Sequence, residues 1–376
     1  MAAPPKRNHF PEKSSGFSPP AAQVWDPDNH LTAKVCLRRT FAPAMKPVFY
    51  LFLLVFSVLF AACEKEESPV TLPPPTGAQY NRVTMGEEYT TQIFWDLETN
   101  SPVKSSSNDV WDLGFESGSE GWKVWMNGGK GINLYNTHKT AFEAVTALPA
   151  GLAETSWGFD DPKGQFSGNY VGSWWDVAAQ QSKEEVFIAR VGDFDYYKIQ
   201  LLRVDETAYT FRTGRLGAAD GTVVTLPKEA GFNRVYYSFE TGPVAQPDPP
   251  QATWDFVFTR YRYIYYDYLG PGLHFPYLIS GVLLNPYKVT AGADSNVAFS
   301  ERNLAHAQAA AFTNNTDVIG GFSWKVYDFD KGRYDVNPRI VYYVRTRNGQ
   351  LYKLHFLDFY LNGVKGSPSF ESERLE

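Results

Sequence analysis

Tyrosine and arginine alternate along one stretch of this 376-residue chain, Arg260-Tyr261-Arg262-Tyr263-Ile264-Tyr265. Successive side chains of a β-strand point to opposite faces, so Tyr261, Tyr263 and Tyr265 share one face and Arg260, Arg262 and Ile264 the other. A row of tyrosine rings is a stacking surface for a flat ligand or a sugar, and guanidinium groups supply paired donors for carboxylates. The same pattern suits a cross-strand aromatic ladder whose arginine stems cover sheet surface. Both readings stay open on the residues alone. His274, in the Gly- and Pro-containing stretch 269–277, is the nearest imidazole. His138, His306 and His355 have no partner at metal-ligand spacing.

Other chemistry is missing from the sequence. There is no His-Glu-x-x-His, no Cys pair, no phosphate-cradling glycine loop and no Gly-x-Ser-x-Gly elbow. The net charge of −6 and a pI near 5.6 argue against nucleic acid as a partner. The chain reads as a binding or structural protein, not an enzyme.

The elements that must position these residues occur twice. Trp254-Asp255-Phe256 echoes Trp111-Asp112-Leu113, and Val235-Tyr236-Tyr237-Ser238-Phe239-Glu240-Thr241 echoes Ile93-Phe94-Trp95-Asp96-Leu97-Glu98-Thr99. Val341-Tyr342-Tyr343-Val344-Arg345 answers Val186-Phe187-Ile188-Ala189-Arg190, Tyr352-Lys353-Leu354 answers Tyr197-Lys198-Ile199, and Ala298-Phe299 answers Ala141-Phe142. The period is too long for a solenoid or a propeller blade, so the pattern predicts a duplicated domain. Aromatic and β-branched runs between polar turns predict an all-β fold with minor α: two tandem, mostly antiparallel domains over 80–228 and 229–376. Short helices are expected only at 173–182 and 301–312. Gly118, Gly121, Gly128, Gly129 and Gly131 surround Trp122, Trp125 and Met126, which read as packing on the sheet rather than lining a pocket. Asp112 and Asp255 read as acceptors for backbone N–H groups.

The Tyr236–Gly242 strand, the Trp254-Asp255 strand ending in Arg260-Tyr261, and the hairpin from Val341-Tyr342-Tyr343-Val344-Arg345 to Tyr352-Lys353-Leu354 resemble the HmuY family of haem-binding lipoproteins from Bacteroidetes-type bacteria. The resemblance is stronger in the second unit. It implies a haem or related tetrapyrrole ligand, iron or haem acquisition, and a TonB-dependent outer-membrane receptor as partner. Haem-binding members hold the iron between paired axial ligands, one a His just after the Trp-Asp strand. That position is Thr259 here, and Glu116 in the first unit. The resemblance therefore turns to His274, alone or with Met126 or Tyr265 opposite, with Tyr261, Tyr263 and Tyr265 as the flat wall and Arg260 and Arg262 toward the propionates. The alternative from another class is a surface glycan- or protein-binding lipoprotein without haem activity.

The N-terminal part reads as processing and anchoring. Residues 1–44 are rich in Pro, Lys and Arg without apolar periodicity, and read as disordered or as a gene-model extension ahead of a start at Met45. Residues 45–62 form a signal sequence, with a basic start, an apolar run over 48–60 and Ala61-Ala62 before Cys63. The run is too short to span a bilayer. Leu59-Phe60-Ala61-Ala62-Cys63 resembles a lipobox, making Cys63 the lipid-attachment residue. The only other cysteine, Cys36, lies upstream, so no internal disulfide is expected. Residues 63–79 then make a lipidated Pro-rich spacer, and the chain is expected on the outer membrane, facing outward, held by lipid alone.

Overall fold

The computed structural model describes residues 77–376. The expected signal sequence and lipid-attachment residue Cys63 lie outside the described residues.

Alternating apolar residues in short runs give strands throughout, as expected. Three come first: β1 (Gln79–Arg82), β2 (Thr91–Asp96) and β3 (Ser101–Ser107). Next are β4 (Leu113–Glu116), β5 (Val124–Met126), β6 (Asn133–Asn136), β7 (Trp175–Asp176) and β8 (Gln181–Ser182). The middle of the chain continues through β9 (Val186–Val191), β10 (Asp195–Val204), β11 (Ala208–Arg215), β12 (Thr222–Pro227), β13 (Arg234–Ser238) and β14 (Gly242–Val244). A long hairpin, β15 (Phe256–Gly270) and β16 (Leu273–Leu284), leads to β17 (Thr290–Ser295) and a short helix α1 (Leu304–Ala309). The chain ends with β18 (Lys325–Asp328), β19 (Arg333–Val336), β20 (Ile340–Arg345), β21 (Leu351–Leu361) and β22 (Val364–Arg374).

Two local expectations are corrected. Residues 173–182 form no helix: Trp174 and Trp175 are both buried, and the Asp176 carboxylate accepts from the N–H groups of Ala178 and Ala179, reversing the chain into the β7–β8 hairpin. The helix expected over 301–312 is confined to α1, where Asn303 and His306 form a reciprocal cap.

The sheets form two sandwiches. In the first, the sheet ordered β12-β11-β10-β9-β6 shares a core with the sheet β14-β13-β4-β5, packed around Phe115, Phe187, Tyr209, Phe211 and Tyr237. In the second, β1-β22-β21-β20-β17 shares a core with β16-β15-β2-β3, around Phe258, Trp324, Tyr342, Phe356 and Phe370. The pairings are antiparallel. The strands do not divide at 228/229. β1 pairs with β22 and β2 with β15, while β13 pairs with β4. The N-terminal strands therefore complete the sandwich of the C-terminal half, and β13 and β14 complete the other. With β12, β13 and β14 put in place of β1, β2 and β3, the strand orders of the two sandwiches are the same.

The buried polar contacts also recur. The Oδ2 of Asp112 accepts from the Phe239 N–H at 2.7 Å, and the Oδ2 of Asp255 from the Leu97 N–H at 2.9 Å. Asn127 donates to the carbonyls of Asn108 and Trp111, and Asn285 to those of Gln251 and Trp254. Lys198 reaches the carbonyls of Phe142 and Val145 at 2.8 and 2.9 Å, and Lys353 those of Phe299 and Arg302 at 3.1 and 2.7 Å. Each Trp-Asp aspartate thus ties its strand to the end of the neighbouring one, a structural role of the kind expected but at long range.

Candidate functional site

The β15–β16 hairpin outgrows its sandwich. β15 pairs with β2 only through Phe256, Val257 and Phe258, and no residue between 259 and 281 enters the core of the second sandwich. The remainder is a two-stranded ribbon in which Tyr263 faces Tyr277, Ile264 faces Pro276 and Tyr265 faces Phe275. The stretch 269–277, expected as a loop, is therefore mostly strand. Pro271 and Gly272 make the turn, with positive φ at Asp267, Gly270 and Gly272 and a 2.7 Å hydrogen bond from the Gly272 N–H to the Asp267 carboxylate.

Strand alternation gives the ribbon two different faces, as expected. Arg260, Arg262 and Tyr266 turn toward the first sandwich. Arg260 is ion-paired with Asp109 at 2.5 Å and donates to the Gly129 carbonyl. Arg262, 5 % exposed, donates to the Ile132 carbonyl at 3.0 Å and lies over the Phe159 ring; burial lowers its pKa to about 10. Both guanidinium groups are engaged in tying the ribbon down, on the face away from the tyrosines. The Tyr266 hydroxyl donates to Asp161, and Lys163 lies over its ring. His274 is on this face too, its ring 5.1 Å from that of Tyr266. Its Nδ1 accepts from the Asp267 N–H at 3.1 Å, so the neutral ring carries its proton on Nε2.

The other face is aromatic. Tyr261 is buried at its base, where burial raises its pKa and the Gly321 N–H donates to its oxygen. Beyond it the rings are partly open to solvent. Tyr265 is the hub, with ring centroids at 5.2 Å from Tyr263, 5.4 Å from Phe322, 5.5 Å from Tyr268, 6.2 Å from Tyr277 and 6.4 Å from Phe275. Phe322 closes on Tyr263 at 4.4 Å. Burial, then the neighbouring phenols, push the Tyr265 hydroxyl up to about 12. Tyr268, Phe275 and Tyr277 each keep about half their surface exposed, at 57, 39 and 45 %. The sequence reading brought Tyr263 and Tyr265 together correctly but separated them from Phe275 and Tyr277, whose parity is invisible once their segment is taken for a loop. Phe322 had no signal at all.

Two cavities lie away from the ribbon's aromatic tip. One of about 160 Å³ sits between the sandwiches at the root of the ribbon, lined by Trp111, Trp254, Asp160, Thr259, Arg260 and Arg262 among others. Burial pushes the Asp160 carboxyl up to about 6 despite hydrogen bonds from the Met126 and Tyr170 N–H groups. Another of about 420 Å³ lies beside Gly77 and Leu375. Trp125 and Met126 are buried but also line the 160 Å³ cavity, so the expected choice of packing over pocket lining does not hold for them. Among the described residues, no group of three or more His, Cys, Asp and Glu is arranged to hold a metal ion. No helix among them is long and apolar enough to cross a membrane.

The family model described as HmuY protein matches residues 88–212. Over that stretch the chain is HmuY-like. The match falls on the earlier half, not on the later one where the resemblance looked stronger, and it runs from strands of the second sandwich into those of the first. Among solved structures, the HmuY-like chain is similar to apo PinO from Porphyromonas gingivitis, with 10% identity over 80% of this chain and 99% of that one, and a TM-score of 0.23. It is also similar to the Tannerella forsythia apo HmuY analog TFO, with 12% identity over 80% and 97% and a TM-score of 0.23. Scores that low carry no argument about function. A search of curated proteins finds no match.

Proposed function

We propose that this HmuY-like chain is a surface-anchored binding protein that captures a haem-type tetrapyrrole on the aromatic face of the β15–β16 ribbon. The family match supports a ligand of haem type. One observation carries the choice of site: partly exposed rings on a ribbon segment that adds nothing to the main core. Large apolar rings left open to water usually mark a binding surface. A flat macrocycle would stack across Tyr265, Tyr268, Phe275 and Tyr277.

The sequence-based arrangement needs revision within this reading. His274 faces the opposite side with its lone pair engaged, and Arg260 and Arg262 are committed to the first sandwich. None of the three fits a ligand on the tyrosine face. The test is a haemin titration of the mature chain, followed by the Soret band. The band is expected to shift with wild type and with His274→Ala, and not with Tyr265→Ala/Phe275→Ala. Absence of any shift in wild type would overturn haem capture and favour the glycan- or protein-binding alternative.

A further inference from the structure

Resting on that reading, we infer that the site recognises the face of the macrocycle and not its iron, so that it takes metal-free tetrapyrroles as well as haem. Iron coordination by a protein needs a side-chain lone pair on the axis of the ring, most often from imidazole, thioether or thiolate.

His138 is exposed in the first sandwich, 3.0 Å from Glu185. His306 caps α1 through Asn303. His355 lies between the Pro338 carbonyl and Glu371, stacked on Phe299 at 4.2 Å. His274 is on the wrong face of a two-stranded ribbon, and a β-strand side chain cannot change face without a one-residue slip of register. Met85 and Met126 are buried in the cores of the second and first sandwich. Among the described residues, no imidazole or thioether therefore reaches the aromatic face. Its oxygen donors are phenols, and the central one, Tyr265, holds its proton more firmly than an ordinary tyrosine.

What the face does provide is ring surface. Tyr268, Phe275, Tyr277, Phe322 and Tyr263 follow one another with centroid spacings of 5.7, 6.5, 6.3 and 4.4 Å. Tyr268 and Phe275 are tilted by 34° and Phe275 and Tyr277 by 30°, which makes a shallow curved wall. A wall several rings long offers contact along an extended planar ligand, where one or two rings would serve a single sugar. Stacking of this kind is blind to what sits at the centre of the macrocycle.

The experiment compares haemin with protoporphyrin IX on the mature chain, using quenching of protein fluorescence, which needs no iron. The two dissociation constants are expected to agree within a factor of about three, because no iron–protein bond separates them. Tyr265→Phe, which keeps the ring and removes the oxygen, is expected to change the two dissociation constants by the same factor. Tyr265→Ala is expected to weaken both together, with far-UV circular dichroism unchanged. Haemin binding tens of times more tightly, or selective loss of haemin in Tyr265→Phe, would show iron coordination and overturn this inference while leaving haem capture intact. If neither compound binds, haem capture itself falls, and this inference with it.

Discussion

Lys325 has its ammonium group inside the second sandwich, only 3 % exposed. It donates to the Ser280 carbonyl at 2.8 Å and is ringed by Tyr334, Phe359 and Trp324 at 4.5, 4.6 and 5.4 Å. Burial without a carboxylate partner lowers its pKa from 10.5 to about 7. The unfolded chain therefore binds this proton up to pH 10.5, while the folded one releases it near 7. Between those values the unfolded state holds more protons, so stability rises with pH through that window and is lowest below it. Lys325→Met is expected to flatten the rise, measured as denaturant midpoints at pH 6, 8 and 10, and to stabilise the protein most at pH 6. The charge effect is on the order of a few kcal/mol, at about 1.4 kcal/mol per pKa unit. Asp255 makes the opposite case. It is fully buried, accepts from the Leu97 N–H and shares Arg347 with Asp96 at 3.1 and 3.0 Å. Asp255→Ala should cost about 1–3 kcal/mol in chemical denaturation, because it leaves the buried Leu97 N–H without its acceptor while Arg347 keeps Asp96. That Asp112 and Asp255 bond backbone N–H groups was legible from their place beside Trp. That their partners lie in a remote strand was not, since a carboxylate's reach in sequence is set by topology.

Among the elements, strand patterns were readable and strand partners were not. Ile93-Phe94-Trp95 and Val235-Tyr236-Tyr237 look alike, and so do the Trp-Asp strands they pair with, so local pattern leaves two equally good pairings. The chain uses the crossed one, with β2 against β15 and β13 against β4. Residues 108–250 hold every strand of the first sandwich and are expected to fold as a separate fragment with cooperative thermal unfolding. Residues 251–376 lack β1, β2 and β3 and should stay aggregation-prone until a 77–107 peptide is added. Nuclear magnetic resonance dispersion of the two fragments, mixed and apart, checks both. A well-folded 229–376 fragment would refute the crossed pairing. The ribbon shows the same limit in miniature: Gly270, Pro271, Gly272 and Pro276 look like loop chemistry, and only the observed register puts Phe275 beside Tyr265 and His274 behind them.

In the whole molecule, the chain enters at Gly77, beside Leu97 and Leu375, close to where Asp255 begins the long hairpin. β15 runs 15 residues from that end, roughly 45–50 Å at about 3.3 Å per residue. The aromatic face is therefore carried at the end remote from the entry point. Cys63→Ala should move the protein from the membrane fraction into the soluble one. In intact cells, Tyr268→Cys should react with a membrane-impermeant maleimide if the tip faces outward, and stay unlabelled until lysis if it does not.

The crossing of the strands also sets a timetable. If the chain is exported through a translocon, the first sandwich can close once β14 has appeared. The second cannot, because β1 waits for β22, with Asn81 opposite Phe370. Closing so long a loop is slow, and unpaired apolar strands invite aggregation meanwhile. For most of its passage the chain would carry Ile93, Phe94 and Trp95 unsheltered, followed late by a ribbon of exposed rings. A holding chaperone should thus matter more to its yield than to that of a protein whose neighbouring strands pair as they arrive.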